Sequence, residues 1–296
     1  MKIAFIGLGE AAGAFLTGWG AGRAASVSAY DIKSEECDTA GEIAARADRL
    51  GIKNCGTPRD ALAGAQLVFC TITADQALRA AEQYSGLLEE GAVWCDLNSC
   101  APDTKRRAQS IVEAEGGVYL DVAVMAPVHP KLNMVPCLIS GAHAEEIGPR
   151  LAALPMNVRV VGADVGRASS IKMVRSIMVK GLEALTAECT LAAFAAGVGD
   201  EVFPSLENGS PYLDVPMRAA YNFERSIVHG TRRAAEMDEV ARMLSDLGLP
   251  NFMALSTSAW QRKLSEMGIE IPEGGELPDH TWFAGEILGT FRRPPG

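Results

Sequence analysis

Short apolar runs alternate with longer amphipathic segments through the first half of the chain. The runs Lys2–Ile6, Ser26–Tyr30, Leu67–Thr71, Val93–Asp96, Val118–Val122, Pro136–Ser140 and Val158–Val161 predict strands. Segments rich in Ala, Glu and Arg, such as Glu35–Leu50 and Ala74–Leu88, predict helices between them. Continuous apolar strands separated by helices predict a parallel sheet covered on both faces. After Gly162 the strand signals stop. Arg167–Ala196 then predicts one helix, about 45 Å long at 1.5 Å per residue. Further helices are expected near Tyr221–Ser245 and Met253–Glu266. The stretch Phe203–Pro216 reads as turn-like, and the proline-rich tail Glu273–Gly296 as loosely ordered. The pattern predicts two domains: a mostly parallel α/β domain over residues 1–163 and an all-α domain over 164–296 that begins with the long interdomain helix.

Composition narrows the class. With 296 residues, 48% of them hydrophobic, the chain can bury a core in each of two domains, which excludes a disordered chain. Its 27 Lys and Arg against 37 Asp and Glu give a net charge of −10, which speaks against a nucleic-acid or anionic-membrane surface. The uncharged run Cys189–Thr–Leu–Ala–Ala–Phe–Ala–Ala–Gly–Val–Gly199 falls short of the roughly 20 residues a membrane span needs. The N-terminus runs straight into a strand pattern without a signal peptide's apolar core. Seven cysteines (Cys37, Cys55, Cys70, Cys95, Cys100, Cys137 and Cys189) are odd in number and never spaced as C-x-x-C. They fit reduced thiols better than a disulfide framework or a zinc site. The expectation is a soluble, cytoplasmic protein with no metal site.

The first chemistry-bearing motif is Gly7-Leu8-Gly9-Glu10-Ala11-Ala12, a G-x-G-x-x-A between a strand and a helix-forming run. Gly7 permits a tight turn, Gly9 lets backbone approach a pyrophosphate, and Ala12 is small enough for close helix–strand packing. Helix-start N–H groups of Glu10, Ala11 and Ala12 would hold the phosphates. Asp31 ends the second strand, where a carboxylate accepts from ribose hydroxyls and repels a 2′-phosphate. Ile32 follows it in place of an arginine, so NAD is expected over NADP, although Lys33 stands nearby. Thr71-Ile72-Thr73 ends another strand, where open α/β sheets bind ligands.

Four segments together resemble the β-hydroxyacid dehydrogenase family, the relatives of 6-phosphogluconate and 3-hydroxyisobutyrate dehydrogenases. Gly7-Leu8-Gly9 is similar to the family's cofactor loop. Asp96-Leu97-Asn98-Ser99-Cys100-Ala101-Pro102 resembles its D-x-S-T-x-x-P segment near nicotinamide and substrate. Asp121-Val-Ala-Val-Met125-Ala126-Pro127 stands where the family has D-A-P-V-S-G-G. Gly166-Arg-Ala-Ser-Ser-Ile-Lys172-Met-Val-Arg175-Ser176 resembles its catalytic helix, G-x-x-x-x-x-K-x-x-x-N. The resemblance covers roughly residues 1–200; beyond that the chain looks like a divergent branch with an uncharacterised C-terminal domain. It implies a Rossmann-type domain plus an all-α domain, a nicotinamide cofactor and a homodimer or larger homo-oligomer.

The departures are as specific. Met125-Ala126-Pro127 replaces the Ser-Gly-Gly whose N–H groups hold a substrate carboxylate in the family, and proline has no N–H to give. The helix Asn of the family is Ser176 here. The acid of the decarboxylating branch would fall at Val179, and the later Lys-Asp-Leu is echoed only by Arg233-Ala-Ala.

Lys172 is the expected general acid–base, since oxidation of a secondary alcohol needs a group to take its proton. Burial and nearby positive charge would favour its neutral form. An anionic small-molecule substrate is expected against Asn98, Ser99, Met125, Ala126, Pro127, His129, Arg175, Ser176 and Lys180, with Asn98 also near the cofactor. For Lys180 a solvated helix face is the competing reading, and for His129 a loop histidine without a role. His229 is a further candidate. Cys70, Cys95 and Cys100 read as small buried side chains. The expected activity is an NAD-dependent dehydrogenase acting on a hydroxy carboxylic acid. An imine reductase and a non-catalytic dinucleotide sensor are the alternatives.

Overall fold

A computed structural model describes residues 1–20, 26–209, 215–272 and 276–292. Its elements are β1 (Lys2–Ile6), α1 (Glu10–Trp19), β2 (Ser26–Tyr30), α2 (Cys37–Leu50), β3 (Lys53–Asn54), α3 (Pro58–Leu62) and β4 (Leu67–Cys70), then α4 (Ala77–Tyr84), β5 (Val93–Asp96), α5 (Pro102–Ala114), β6 (Val118–Val124), β7 (Cys137–Ser140), α6 (Ala144–Ala152) and β8 (Val158–Gly162). The helices α7 (Arg167–Ala196), α8 (Gly199–Gly209), α9 (Val215–Asp246), α10 (Phe252–Ser265) and α11 (His280–Arg292) follow.

The eight strands form one sheet in the order β3-β2-β1-β4-β5-β6-β7-β8. All neighbours are parallel except β6 and β7, which are antiparallel. The sheet is thus mostly parallel, as the pattern predicts, with one antiparallel pair. No crossover helix lies between Val124 and Cys137, and a parallel return needs one. Side chains alternate between faces with the strand period of two. Ile3, Phe5, Leu67, Phe69, Val93 and Cys95 face one core with α1, α2 and α6, where the Phe5 and Phe69 rings stack at 5.1 Å. Ala4, Ile6, Val68, Cys70 and Trp94 face the other.

The chain divides into two compact units, Met1–Met173 and Val174–Gly296. The division falls inside α7 rather than at 163/164, because the helix start is tied to the sheet. Asp121 on β6 accepts the Gly166 N–H at 3.1 Å, the Ser169 N–H at 3.0 Å and the Ser169 hydroxyl at 2.6 Å. That carboxylate caps α7 from a neighbouring strand.

The second unit is helical. Leu191, Phe223, Leu264, Phe283 and Ile287 form its main core. At Gly230 on α9 an added Cβ would lie 2.3 Å from the Gln261 carbonyl of α10, so only glycine allows that approach. Two expectations fail here. Phe203–Pro216 is not a turn throughout, since α8 runs to Gly209 through Pro204, and α9 begins at Val215; residues 210–214 lie outside the described ones. The tail holds α11, whose start Asp279 caps by accepting the Thr281 and Trp282 N–H groups at 3.0 Å. Residues 273–275 and 293–296 lie outside the described ones. No helix among the described residues is long and apolar enough to cross a membrane.

Candidate functional site

The carboxyl ends of β1, β2 and β4 open onto a cleft of about 680 Å³ whose lining includes Gly7, Gly9, Asp31, Ile32, Thr71, Ile72 and Thr73. Its size is ordinary for a cofactor pocket. Gly7 adopts φ +90°, and a Cβ there would sit 2.6 Å from the Thr71 carbonyl, so the turn excludes any side chain. Gly9 is the N-cap of α1 and offers no side-chain cap. A Cβ on it would meet nothing within 4 Å. The N–H groups at a helix start have no carbonyl partner four residues back. Open space over Gly9 and the uncapped start of α1 therefore fit a pyrophosphate. Leu8 and Ala12 are fully buried and Ala11 packs against the core, so these residues offer a ligand backbone only.

Asp31 stands at the end of β2 as expected. One carboxylate oxygen accepts the Leu8 N–H at 2.7 Å and the other the Lys33 N–H at 3.0 Å. The second bond caps a short 3-10 turn, Ile32–Glu35, which is why α2 starts later than the helical pattern suggests. Tyr30 donates to Glu35 and lies edge-on to Tyr84. The sequence pattern gave no sign of Arg46, which also lines the cleft and donates to the Leu8 carbonyl at 2.8 Å.

Beyond β5 the chain turns through Asp96–Ser99. Asp96 is 1% exposed and accepts the Asn98 N–H at 2.9 Å, the Asn98 amide at 2.7 Å and the Tyr119 hydroxyl at 2.6 Å. Asn98 is thus committed to shaping the turn, and its amide also reaches the Cys70 sulfur at 3.3 Å. Lys105 on α5, fully buried, lies 3.0 Å from Asp96 and 3.5 Å from Asp121. Burial alone would lower its pKa, but the two carboxylates more than offset this and hold it above the usual lysine range. Sequence reasoning missed Lys105 and Tyr119, because their partners Asp96 and Asp121 lie on strands that only the folded sheet brings beside them. The turn delivers Ser99, and Lys172 on α7 donates to its hydroxyl at 2.5 Å. The structure therefore brings together Asn98, Ser99 and Lys172.

The altered anchor is more restricted than its sequence suggests. The Met125 N–H is spent on the Pro136 carbonyl at 2.8 Å, and Pro127 has none. Of the three residues only Ala126 could donate. The Met125 side chain packs beside Ala123, Leu138 and Ala168. His129 lines a separate hollow of about 370 Å³ with Gly9, Glu10, Gly13, Ala14, Thr17, Arg46, Arg49 and Leu50; that lining includes neither Ser99 nor Lys172.

In the helical unit Arg175 is exposed, whereas Ser176 and Lys180 are buried. Lys180 lies 2.8 Å from Glu236, so the solvated-face reading of Lys180 does not hold. Burial pulls its pKa down, and Glu236 opposes that shift. Arg233 pairs with Glu183, which fixes it inside the helical unit. His229 is half-buried on α9. Burial raises the thiols of Cys70 and Cys95, the latter to about 12, so neither is poised as a nucleophile.

Comparison with known proteins agrees with this geometry. Residues 2–149 match the family model described as the NAD binding domain of 6-phosphogluconate dehydrogenase, and residues 193–264 match a domain of unknown function (DUF1932). A conserved hypothetical protein from Sinorhizobium meliloti is 33% identical, with 98% of this chain and 96% of that one covered and a TM-score of 0.75. A second conserved protein, whose structure revealed similarity with 3-hydroxyacid dehydrogenases, is 28% identical, with 90% and 97% covered and a TM-score of 0.65. The 3-hydroxyisobutyrate dehydrogenase of Mycobacterium tuberculosis, solved with L-serine, shares the fold at 16% identity, with 99% of each chain covered and a TM-score of 0.71. With its phosphate loop, its Rossmann-type sheet and its two matched segments, the chain belongs to the β-hydroxyacid dehydrogenase family typified by 6-phosphogluconate dehydrogenase, in a branch that carries the DUF1932 domain.

Proposed function

We propose that the chain is an NAD(H)-dependent oxidoreductase that interconverts a hydroxy carboxylic acid and its oxo counterpart, with Lys172 as general acid–base. The observation that carries this is the hydrogen bond from Lys172 to Ser99 at 2.5 Å. It sets an amine beside the turn after β5, on the same sheet edge as the Gly7–Gly9 loop. Nicotinamide, when bound, supplies a hydride acceptor or donor there. Lys172 takes the hydroxyl proton in the oxidative direction and returns it in reduction, a contribution of roughly 10²–10⁴ in rate. Ser99 holds the amine in place, and the Asp96–Asn98 bonds hold Ser99. Asp31 supports NAD over NADP, because a carboxylate at the end of β2 repels a 2′-phosphate.

The altered anchor supports a substrate bulkier than 3-hydroxyisobutyrate. Met125 and Pro127 cannot give the N–H groups that would hold a small acid's carboxylate, and Met125 offers an apolar wall instead. A panel of hydroxy acids and cyclic imines, followed by NADH absorbance with purified protein, tests the assignment. Turnover of a hydroxy acid that is lost in Lys172→Met supports it. Reduction of imines alone, or no turnover with any of the panel, refutes it.

A further inference from the structure

We propose that Arg46 is a positioning residue of the cofactor loop, keeping the loop in the form that presents its N–H groups to a dinucleotide phosphate. The inference rests on the dinucleotide reading of the cleft. Leu8 is fixed on three sides. Its side chain is fully buried in the core, its N–H donates to Asp31 at 2.7 Å, and its carbonyl accepts from Arg46 Nη1 at 2.8 Å. The flanking carbonyls are held too. Gly7 accepts the Thr71 hydroxyl at 2.8 Å, and Gly9 accepts the Gly13 N–H at 3.0 Å.

Three successive carbonyl oxygens are thus each engaged by a donor of the protein. A carbonyl dipole turned toward a phosphate would repel it, whereas backbone N–H groups attract it. Thr71 and Gly13 come with the end of β4 and the first turn of α1. Arg46 alone is brought from elsewhere, the middle of α2, and its Nη2 is braced by Glu42 at 2.5 Å. Its rigid planar fork offers the two partners separate N–H donors in a fixed geometry, where a lysine would offer a single flexible ammonium. Because Glu42 already takes part of its charge, Arg46 acts on the loop rather than as a loose cation for the ligand. Removing it takes away the donor on the Leu8–Gly9 peptide, whose N–H is that of Gly9, while Asp31 still holds the preceding Gly7–Leu8 peptide.

The test compares wild type, Arg46→Gln and Arg46→Lys by fluorescence titration with NADH and with NADPH, and by amide hydrogen exchange of residues 7–12 in cofactor-free protein. In Arg46→Gln the Kd values for both cofactors should rise by the same factor, about tenfold, as expected for one lost charge-assisted hydrogen bond. Loop amides should exchange faster while the melting temperature stays nearly constant. Arg46→Lys, which retains one donor for Leu8, should recover most of the affinity. Unchanged Kd and exchange would overturn the proposal. So would a loss confined to NADPH, which would make Arg46 a direct 2′-phosphate ligand. Wild type that binds neither cofactor would overturn the reading of the cleft itself, and this inference with it.

Discussion

Asp121 on β6 and Ser169 in the first turn of α7 are joined by two hydrogen bonds, hydroxyl to Oδ1 at 2.6 Å and N–H to Oδ2 at 3.0 Å. A carboxylate at a helix start satisfies orphan N–H groups and complements the helix dipole. The same carboxylate lies 3.5 Å from the fully buried Lys105. Asp121→Ala should therefore cost about 3–5 kcal/mol, the range for breaking a buried charge pair, while Ser169→Ala should cost about 1 kcal/mol. Urea unfolding of the two variants checks the ratio. Equal losses would mean that Asp121 does no more than cap.

Lys172→Met should leave the fold and the NADH affinity nearly intact while turnover drops by about 10²–10⁴. Stopped-flow single-turnover rates, beside a cofactor titration, separate the two effects. Normal kcat in the variant would transfer the proton step to another group.

Asp31→Ala should narrow the preference for NADH over NADPH, chiefly by tightening NADPH. Asp31 also holds the Leu8 N–H at 2.7 Å, so some NADH affinity should be lost as well. Titration of both reduced cofactors measures the ratio. Equal or tighter NADPH binding by the wild type would sink the argument from this carboxylate.

The substrate prediction follows from the Met125-Ala126-Pro127 segment. A carboxylate deprived of one donor loses roughly 1–3 kcal/mol. The kcat/KM for an aryl-substituted 3-hydroxy acid should therefore exceed that for 3-hydroxyisobutyrate and 3-hydroxypropionate. A tenfold advantage for the small acids would show that the Ala126 N–H or another donor has taken over.

Much of the molecule is legible from pattern alone, and the exceptions have physical causes. The continuous apolar strands stand where the pattern puts them, since each buries a side chain at nearly every position. The segment Arg167–Ala196 forms α7 as its helix formers predict, although Ile171, Val174, Met178, Leu182 and Leu185 on it are exposed. β3 escapes notice because Lys53–Asn54 is a two-residue polar edge strand with both positions exposed. α8 escapes because Pro204 inside it reads as a turn, and α11 because prolines surround it. In the site, Gly7, Gly9 and Asp31 are legible from their spacing, and Ser99 and Lys172 only through the resemblance to the family's motifs. Lys105 and Arg46 are not, because their partners lie on strands and loops distant in sequence and only the folded sheet brings them near.

The buried Asp96–Lys105–Asp121 group has a consequence for how such a chain diversifies. Asp96 sets the turn that carries Ser99, and Asp121 sets the helix start that carries Lys172. Both ends of the Lys172–Ser99 hydrogen bond are thereby registered to one charged knot inside the sheet unit, which ends at Met173. The hydrogen bonds that set the Ser99 turn, the start of α7 and the Lys172–Ser99 contact all join residues before Val174. A lineage could explore new substrates through its C-terminal half while inheriting its chemistry unchanged from the first.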